Sequence, residues 1–242
     1  MPIPKIIHQT AKTSDIPPVW LPFQSAVKAK FPDWEYRLWT DQDNLTLVQD
    51  RYPQLLPIYT GMVRNIMRVD MIRYLIMDTY GGLYLDLDYE FLRPYPFPDF
   101  DLVLPRESAD SEPIALGNAV FASVPGHPYW KAVIADFLTN PPSNYAEVAE
   151  DQVLHLTGPG FLTRIYQQSF GSDPSFFIPI QRNFNPPIPS NEQERKALLN
   201  DSQVYGIHHC TGTWRALTKT ERLAAKIQTM SRRIARVLRG RP

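Results

Sequence analysis

The chain has 242 residues, 43% of them hydrophobic and 21% charged, enough for one large α/β domain with its own core. A single cysteine, Cys210, excludes an internal disulfide framework, and 24 prolines point to rigid loops rather than disorder. The net charge is zero, yet nine basic residues and one acid lie from Arg215 to the end. The body before them is therefore acidic, which argues against nucleic-acid binding.

No stretch reaches the ~20 apolar residues that span a bilayer, and Met1-Pro-Ile-Pro-Lys5 carries no apolar run of a signal peptide. The expected location is the cytoplasm. Pro4–Thr10 reads as a first strand, and residues 18–31 read as a helix closed by Pro32. Glu35–Trp39 alternates as a second strand, and a helix is expected from about Asn44. The spacing of Met62, Ile66, Val69, Ile72 and Ile76 makes one apolar stripe and predicts a helix over Met62–Tyr80. Gly81-Gly82 supplies its stop.

A strand follows at once, Leu83-Tyr84-Leu85-Asp86-Leu87-Asp88. Its period of two sets the leucines on one face and Tyr84, Asp86 and Asp88 on the other. Further strands are expected at 101–104, 115–123, 176–180 and 204–208. Further helices are expected at 128–138 and 145–170, the second broken at Gly158-Pro159-Gly160. Alternating strands and helices give an α/β class with the helices flanking a sheet. The body is expected to end at Trp214, with residues 215–242 as a separate basic segment.

Asp86 and Asp88 place two carboxylates on one face near a strand's C-terminal end, where α/β sheets bind ligands. Hard oxygen donors suit Mg²⁺ or Mn²⁺, which bind through one or two carboxylates together with substrate phosphates. The plainer alternative is a solvated strand face. Asp70 and Arg73 are neighbours on the preceding helix, away from the centre of its apolar stripe. They read equally as a surface ion pair or as substrate contacts. His208 and His209 are adjacent at a strand end and point in opposite directions, and one of them is a possible third ligand.

The run from Arg68 through Asp70, Arg73, Tyr74, Gly81-Gly82 and Tyr84 to Asp86-Leu-Asp88 resembles the sugar-binding region with the Asp-x-Asp motif of glycosyltransferase family 32. That family includes yeast-type mannosyltransferases and bacterial capsule-type transferases, and it is related to the large clostridial glucosylating toxins. The opening Ile3-Pro-Lys-Ile-Ile-His8-Gln9-Thr10, the Gly117-Asn118-Ala segment with Gly126-His127-Pro128, Thr157-Gly158-Pro159, and His208-His209 with Thr213-Trp214 are similar in order. The chain departs from the family at Ala11, where many members carry Trp, and at Thr213, where Ser is usual.

The resemblance implies a GT-A-type, Rossmann-like mixed sheet in a catalytic domain over residues 1–214. It also implies a retaining, metal-dependent transfer of a hexose from a nucleoside-diphosphate sugar to a hydroxyl of a glycan, lipid-linked or small-molecule acceptor. In it, Asp86 and Asp88 hold Mn²⁺ or Mg²⁺, with His209 favoured over His208 as third ligand. Asp70 accepts hydrogen bonds from donor-sugar hydroxyls, and Arg73 binds the sugar or the diphosphate. His8 and Gln9 border the nucleoside and Trp39 packs near the base. Tyr84 and Asn118 contact the donor, and Trp214 closes over the diphosphate. Same-face attack with the leaving phosphate oxygen taking the proton is the favoured route. A double displacement would need an opposing carboxylate, for which Asp151 is the candidate.

Two alternatives stand beside this reading: a catalytically silent sugar- or nucleotide-binding module, and a haloacid-dehalogenase-type phosphatase. The phosphatase usually wants Thr or Ser where Glu90 stands. Leu223, Ile227, Met230, Ile234 and Val237 recur among arginines, so a basic amphipathic helix is expected over Thr218–Leu238 within the basic segment. It would dock either on an anionic inner membrane surface or on the acidic body.

Overall fold

Ile7, His8 and Gln9 are fully buried at the centre of the first strand, β1 (Ile6–Thr10). A strand buried on both faces belongs inside a sheet, and β1 pairs in parallel on both sides. One neighbour is β2 (Glu35–Trp39), reached through helix α1 (Leu21–Lys30). The other is β3 (Gly82–Leu85), reached through α2 (Asp41–Arg51), α3 (Leu56–Gly61) and α4 (Asn65–Tyr80). The chain thus leaves β1 for one side of the sheet and returns on the other. That reversal opens a crevice at the C-terminal ends of β1 and β3.

The remaining strands are β4 (Tyr89–Phe91), β5 (Leu102–Val103), β6 (Val120–Ser123), β7 (Phe176–Phe177) and β8 (Gly206–His208). The main sheet has six strands in the order β2-β1-β3-β6-β5-β7, with β6 antiparallel to both β3 and β5. A separate two-stranded ladder joins β4 to β8, antiparallel, with Tyr89 opposite His208. Helices α5 (Pro128–Thr139), α6 (Glu150–Leu156), α7 (Pro159–Ser169), α8 (Gln181–Phe184) and α9 (Glu192–Asn200) complete the order. The computed structural model describes residues 2–97, 100–107, 113–141 and 148–211, of which those up to Cys210 form one body. Trp214 and the basic segment after it lie outside the described residues. Among those described, no helix is long and apolar enough to cross a membrane.

Helix α4 is the centre of the body. Its ten residues from Met67 and Asp70 through Asp78 named as buried include both charged and apolar side chains, so it is enclosed nearly all round rather than along one stripe. Tyr74 stacks among Trp130, Phe137 and Phe161 at centroid distances of 5.8 to 6.5 Å. Its hydroxyl donates to the Thr157 carbonyl at 2.7 Å, which satisfies the polar end of a buried aromatic ring. On the other side of the sheet's residues, Ile7, Val27, Leu83, Leu85, Tyr89, Phe91 and Phe184 share one apolar cluster.

Several boundaries differ from the sequence reading. The stripe through Met62 runs on from α3, which ends at Gly61. Arg64 is extended, with ψ 120°, so α4 starts only at Asn65. Helix α2 starts at Asp41 because Thr40 and Asp43 form a reciprocal capping box. Strand β3 stops at Leu85, before the two aspartates.

Gly81 ends α4 at φ 62°, ψ −152°, and Gly82 follows at φ 92°, a region that residues with a Cβ rarely enter. A Cβ on Gly82 would lie 2.5 Å from the Ile6 carbonyl oxygen, and one on Gly81 would lie 2.6 Å from that of Ser123. Both contacts are with backbone of the sheet and have no room to relax. Gly82→Ala is expected to destabilise the protein by about 2 kcal/mol or more in urea unfolding. A change under about 0.5 kcal/mol would show that the turn tolerates a side chain.

Candidate functional site

The amide of Asp86 donates to the Ala119 carbonyl at 2.8 Å, the last bond between the β3 and β6 segments. Its carbonyl then accepts from the Tyr89 amide at 3.1 Å and from Gln9 Nε2 at 3.1 Å. Asp86-Leu87-Asp88 is therefore a tight turn between β3 and β4, with Leu87 anchored inward at 8% exposure. The turn follows directly on the C-terminal end of β3, where the crevice opens.

The β4–β8 ladder brings a third group to them. The His208 ring lies over Tyr89, centroids 6.3 Å apart, and aims Nε2 at Asp88 Oδ1 (3.3 Å) and Asp86 Oδ2 (3.9 Å). Ligand atoms of Asp86, Asp88 and His208 all fall within 4.8 Å of one another. Burial works against a charge on His208, but Asp88, Cys210 and Asp86 outweigh it and raise its pKa to about 11. His208, and not the expected His209, is the ring that this geometry groups with the two aspartates. Neighbouring residues at a strand end face opposite ways, and His209 turns to Glu90 (Nε2–Oε2 2.9 Å) and stacks on Phe23 (4.7 Å).

Asp70 and Arg73 are not a surface pair: they are 3% and 2% exposed. The Arg73 fork is engaged on every side. Nε donates to the Val69 carbonyl at 3.2 Å and Nη1 to the Asn118 carbonyl at 2.5 Å. Its two terminal nitrogens approach both oxygens of Asp86 at 3.3 and 3.4 Å, and Nη2 reaches Asp70 Oδ1 at 3.3 Å. Arg73 thus fixes Asp86 in place. Burial opposes the guanidinium charge, yet Asp86, Tyr84 and Asp70 hold its pKa above the usual arginine value. Asp70 takes a hydrogen bond on each oxygen, from Asn118 Nδ2 at 3.0 Å and from Thr157 Oγ1 at 2.8 Å. Burial pushes its carboxyl up to about 6 against the pull of Arg73. Burial likewise raises Asp86, opposed by Arg73 and His208.

Other expected contacts sit behind the site rather than in it. His8 is fully buried. Its Nδ1 accepts the Trp39 indole N–H at 3.0 Å, so Nε2 carries the proton that goes to the Gly81 carbonyl at 2.9 Å. Burial lowers its pKa to about 4 and keeps it neutral. Gln9 joins Tyr36 to the Asp86 carbonyl. The Tyr84 hydroxyl donates to Asp86 Oδ1 at 2.9 Å while its ring packs on Phe121. His8, Gln9, Trp39 and Tyr84 are therefore buried and brace the crevice from inside. Asn118 is half-buried and tied to Asp70. Asp151 is exposed on α6.

The sequence reading did not single out the clamp on Glu90, whose carboxylate receives both terminal nitrogens of Arg195 (2.7 and 3.1 Å) as well as His209. The alternation that selects Asp86 and Asp88 extends to Glu90 and was the available signal. Arg195 lies on α9, which no local pattern connects to β4.

The family profile described as the glycosyltransferase sugar-binding region containing the DXD motif matches residues 17–109. Inositol phosphoceramide mannosyltransferase 2 of Schizosaccharomyces pombe is 35% identical over 182 residues, covering 74% of this chain and 51% of that protein. Mannosyl phosphorylinositol ceramide synthase CSH1 of Saccharomyces cerevisiae is 36% identical over 166 residues, covering 69% of this chain and 43% of that protein. The chain thus spans about half the length of these relatives. Among solved structures, the PaToxG glycosyltransferase superposes with a TM-score of 0.50 at 17% identity, over 71% of this chain and 72% of that one. The mixed sheet flanked by helices is accordingly a GT-A fold. Residues 17–109, which hold α4, β3 and the Asp86-Leu87-Asp88 turn, thus match the sugar-binding region of the DXD-containing glycosyltransferases.

Proposed function

We propose that this protein transfers a mannosyl group, with retention, from a nucleoside-diphosphate donor to a hydroxyl on the head group of a phosphoinositol-containing lipid. The observation that carries this reading is the convergence of Asp86, Asp88 and His208 at the sheet's crevice. Two carboxylates and an imidazole suit Mn²⁺ or Mg²⁺. The fit is supported by His208, whose ring is drawn toward protonation by the two acids, a positive charge that a bound cation would replace. When bound, the ion supplies charge neutralisation for a departing diphosphate.

The chain's own groups do the rest. Arg73 and Tyr84 hold Asp86 from behind, so its carboxylate meets the ion preorganised. His208 orients from the second ladder. In same-face attack the acceptor proton passes to the leaving phosphate oxygen, so no protein base is required. The mannose and the lipid acceptor come from the relatives' names. The phosphatase alternative has little to stand on, since Glu90 is occupied by Arg195 and His209. Docking of residues 218–242 on an anionic cytoplasmic membrane surface would bring the crevice to such an acceptor.

Mn²⁺-dependent hydrolysis of GDP-mannose, screened against other nucleotide sugars, tests the donor without the acceptor. Asp86→Ala or Asp88→Ala is expected to lower it at least about a hundredfold. Full turnover by either variant at saturating metal would sink the reading.

The ring assignment has its own test. In the metal-free protein Asp88, Cys210 and Asp86 overcome burial and raise the His208 pKa to about 11, above its ordinary value of 6.5. A ligand must be deprotonated, so loading expels a proton and apparent affinity rises about tenfold per pH unit between pH 6 and 8. Titration calorimetry in buffers of different ionisation enthalpy should count about one proton released per Mn²⁺. His208→Ala should weaken binding at least about tenfold, and His209→Ala less. Equal losses in both variants, or no proton release, would remove His208 from the ligand set.

Deleting residues 218–242 is expected to abolish co-sedimentation with anionic vesicles. Undiminished binding of the truncated protein would refute membrane docking by this segment.

A further inference from the structure

Glu107 is placed beside the site by a short antiparallel pairing outside the named strands. Arg106 bridges Leu116, the Glu107 amide donates to the Ala115 carbonyl at 2.8 Å, and the Gly117 amide donates to the Pro105 carbonyl at 2.8 Å. Gln181 Nε2 fixes the Glu107 carbonyl at 3.2 Å. The side chain then lies over Gly117 so closely that a Cβ there would be 2.7 Å from Glu107 Oε2. The next two residues are the wall of the site: the Asn118 carbonyl takes Arg73 Nη1, and the Ala119 carbonyl takes the Asp86 amide.

Glu107 is half-buried, and among the described residues no side chain donates a hydrogen bond or ion pair to its carboxylate. Burial raises its pKa, while His208 lowers it and Asp86 raises it further, so it shares the electrostatic field of the metal cluster. A desolvated acceptor left open at a site is costly unless a ligand completes it. Asp70, to which the resemblance assigns the acceptance of sugar hydroxyls, is sealed at 3% exposure with a protein donor on each oxygen. Glu107 is a further carboxylate beside the site, with acceptor capacity that no side chain among the described residues uses.

We propose that the Glu107 carboxylate takes hydrogen bonds from hydroxyl groups of the donor hexose, and that Gly117 is glycine to leave room for it. This inference rests on the sugar-transfer reading above. The sugar ring would lie along Gly117-Asn118, between Glu107 and the ion held by Asp86 and Asp88. The nucleotide moiety would not touch Glu107.

Equilibrium binding of GDP-mannose and of GDP, each with Mn²⁺, separates the hexose from the nucleotide. Glu107→Gln keeps the shape and removes the charge. Gly117→Ala keeps the carboxylate but crowds its flexible end, and also the Asn185 amide at 3.0 Å. Both variants are expected to bind GDP-mannose about tenfold more weakly, the scale of one charge-assisted hydrogen bond. Glu107→Gln should bind GDP and Mn²⁺ within about twofold of wild type and melt at an unchanged temperature. Unchanged GDP-mannose affinity in Glu107→Gln would overturn the proposal, as would an equal loss for GDP and GDP-mannose, since the carboxylate would then act through the metal or the fold. Wild-type protein that binds neither ligand with Mn²⁺ would instead overturn the sugar-transfer reading, and this inference with it.

Discussion

The site depends on one buried cation, the guanidinium of Arg73. It is 2% exposed, and charge so enclosed is tolerated only when its partners are complete. Asp70 lies one turn back on the same helix, Asp86 lies across the crevice at the end of β3, and the carbonyls of Val69 and Asn118 fill the remaining directions. Two acids around one base leave this cluster net negative before Asp88 is added. The protonated His208 relieves part of that excess. A divalent cation held by Asp86, Asp88 and His208 would relieve more. Lysine, a point charge with no fork, could not hold the same set of acceptors.

A second layer of polar groups carries that order back into the sheet. His8 links Trp39 on β2 to the Gly81 carbonyl at the end of α4. Gln9 links Tyr36 on β2 to the Asp86 carbonyl. Thr10 meets the Tyr84 hydroxyl at 3.1 Å, and that hydroxyl also supports Asp86. Three successive residues of one central strand thus fix the turn, the motif backbone and the first ligand. Hydrogen bonds of this kind are each modest, but leaving one buried partner open costs more than the bond itself is worth. The polar run His8-Gln9-Thr10 in an otherwise apolar strand is explained by this bracing.

Local patterns made much of this legible. The period of α4, the Gly81-Gly82 stop, and the Asp86-Leu87-Asp88 spacing lie within one continuous run of sequence, and strand and helix order followed from them. What was not legible depends on distant pairing. Asp70 and Arg73 look like a surface pair by helical spacing, because nothing local announces that Asn118 and Thr157 will cover them. His8 and Gln9 look like ligand contacts because buried polar side chains cannot be told from exposed ones until their partners in β2 and α4 are placed. The choice between His208 and His209 turned on β8 leaving the main sheet to pair with β4. Alternation along the strand separates the two rings but does not say which of its faces meets the aspartates. The basic segment and Trp214 fall outside the described residues.

The two histidines divide their work through that ladder. His209 is held from two elements, by Glu90 on β4 and by Phe23 on α1, and Arg195 on α9 completes the carboxylate. Burial would raise the Glu90 carboxyl, but His209 and Arg195 bring it down to about 2, so it stays ionised and both donors keep their acceptor. With Tyr89 opposite His208 and the His209 amide bonded to the Asp88 carbonyl at 3.1 Å, the register of β8 against β4 is pinned on either side of His208. A register slip of one residue would exchange the faces of the two rings. The ladder therefore converts a long-range pairing into a ligand position. A cation bound by both the turn and β8 would favour the paired state by its own binding free energy, which makes the second ladder part of the site and not an accessory to the sheet.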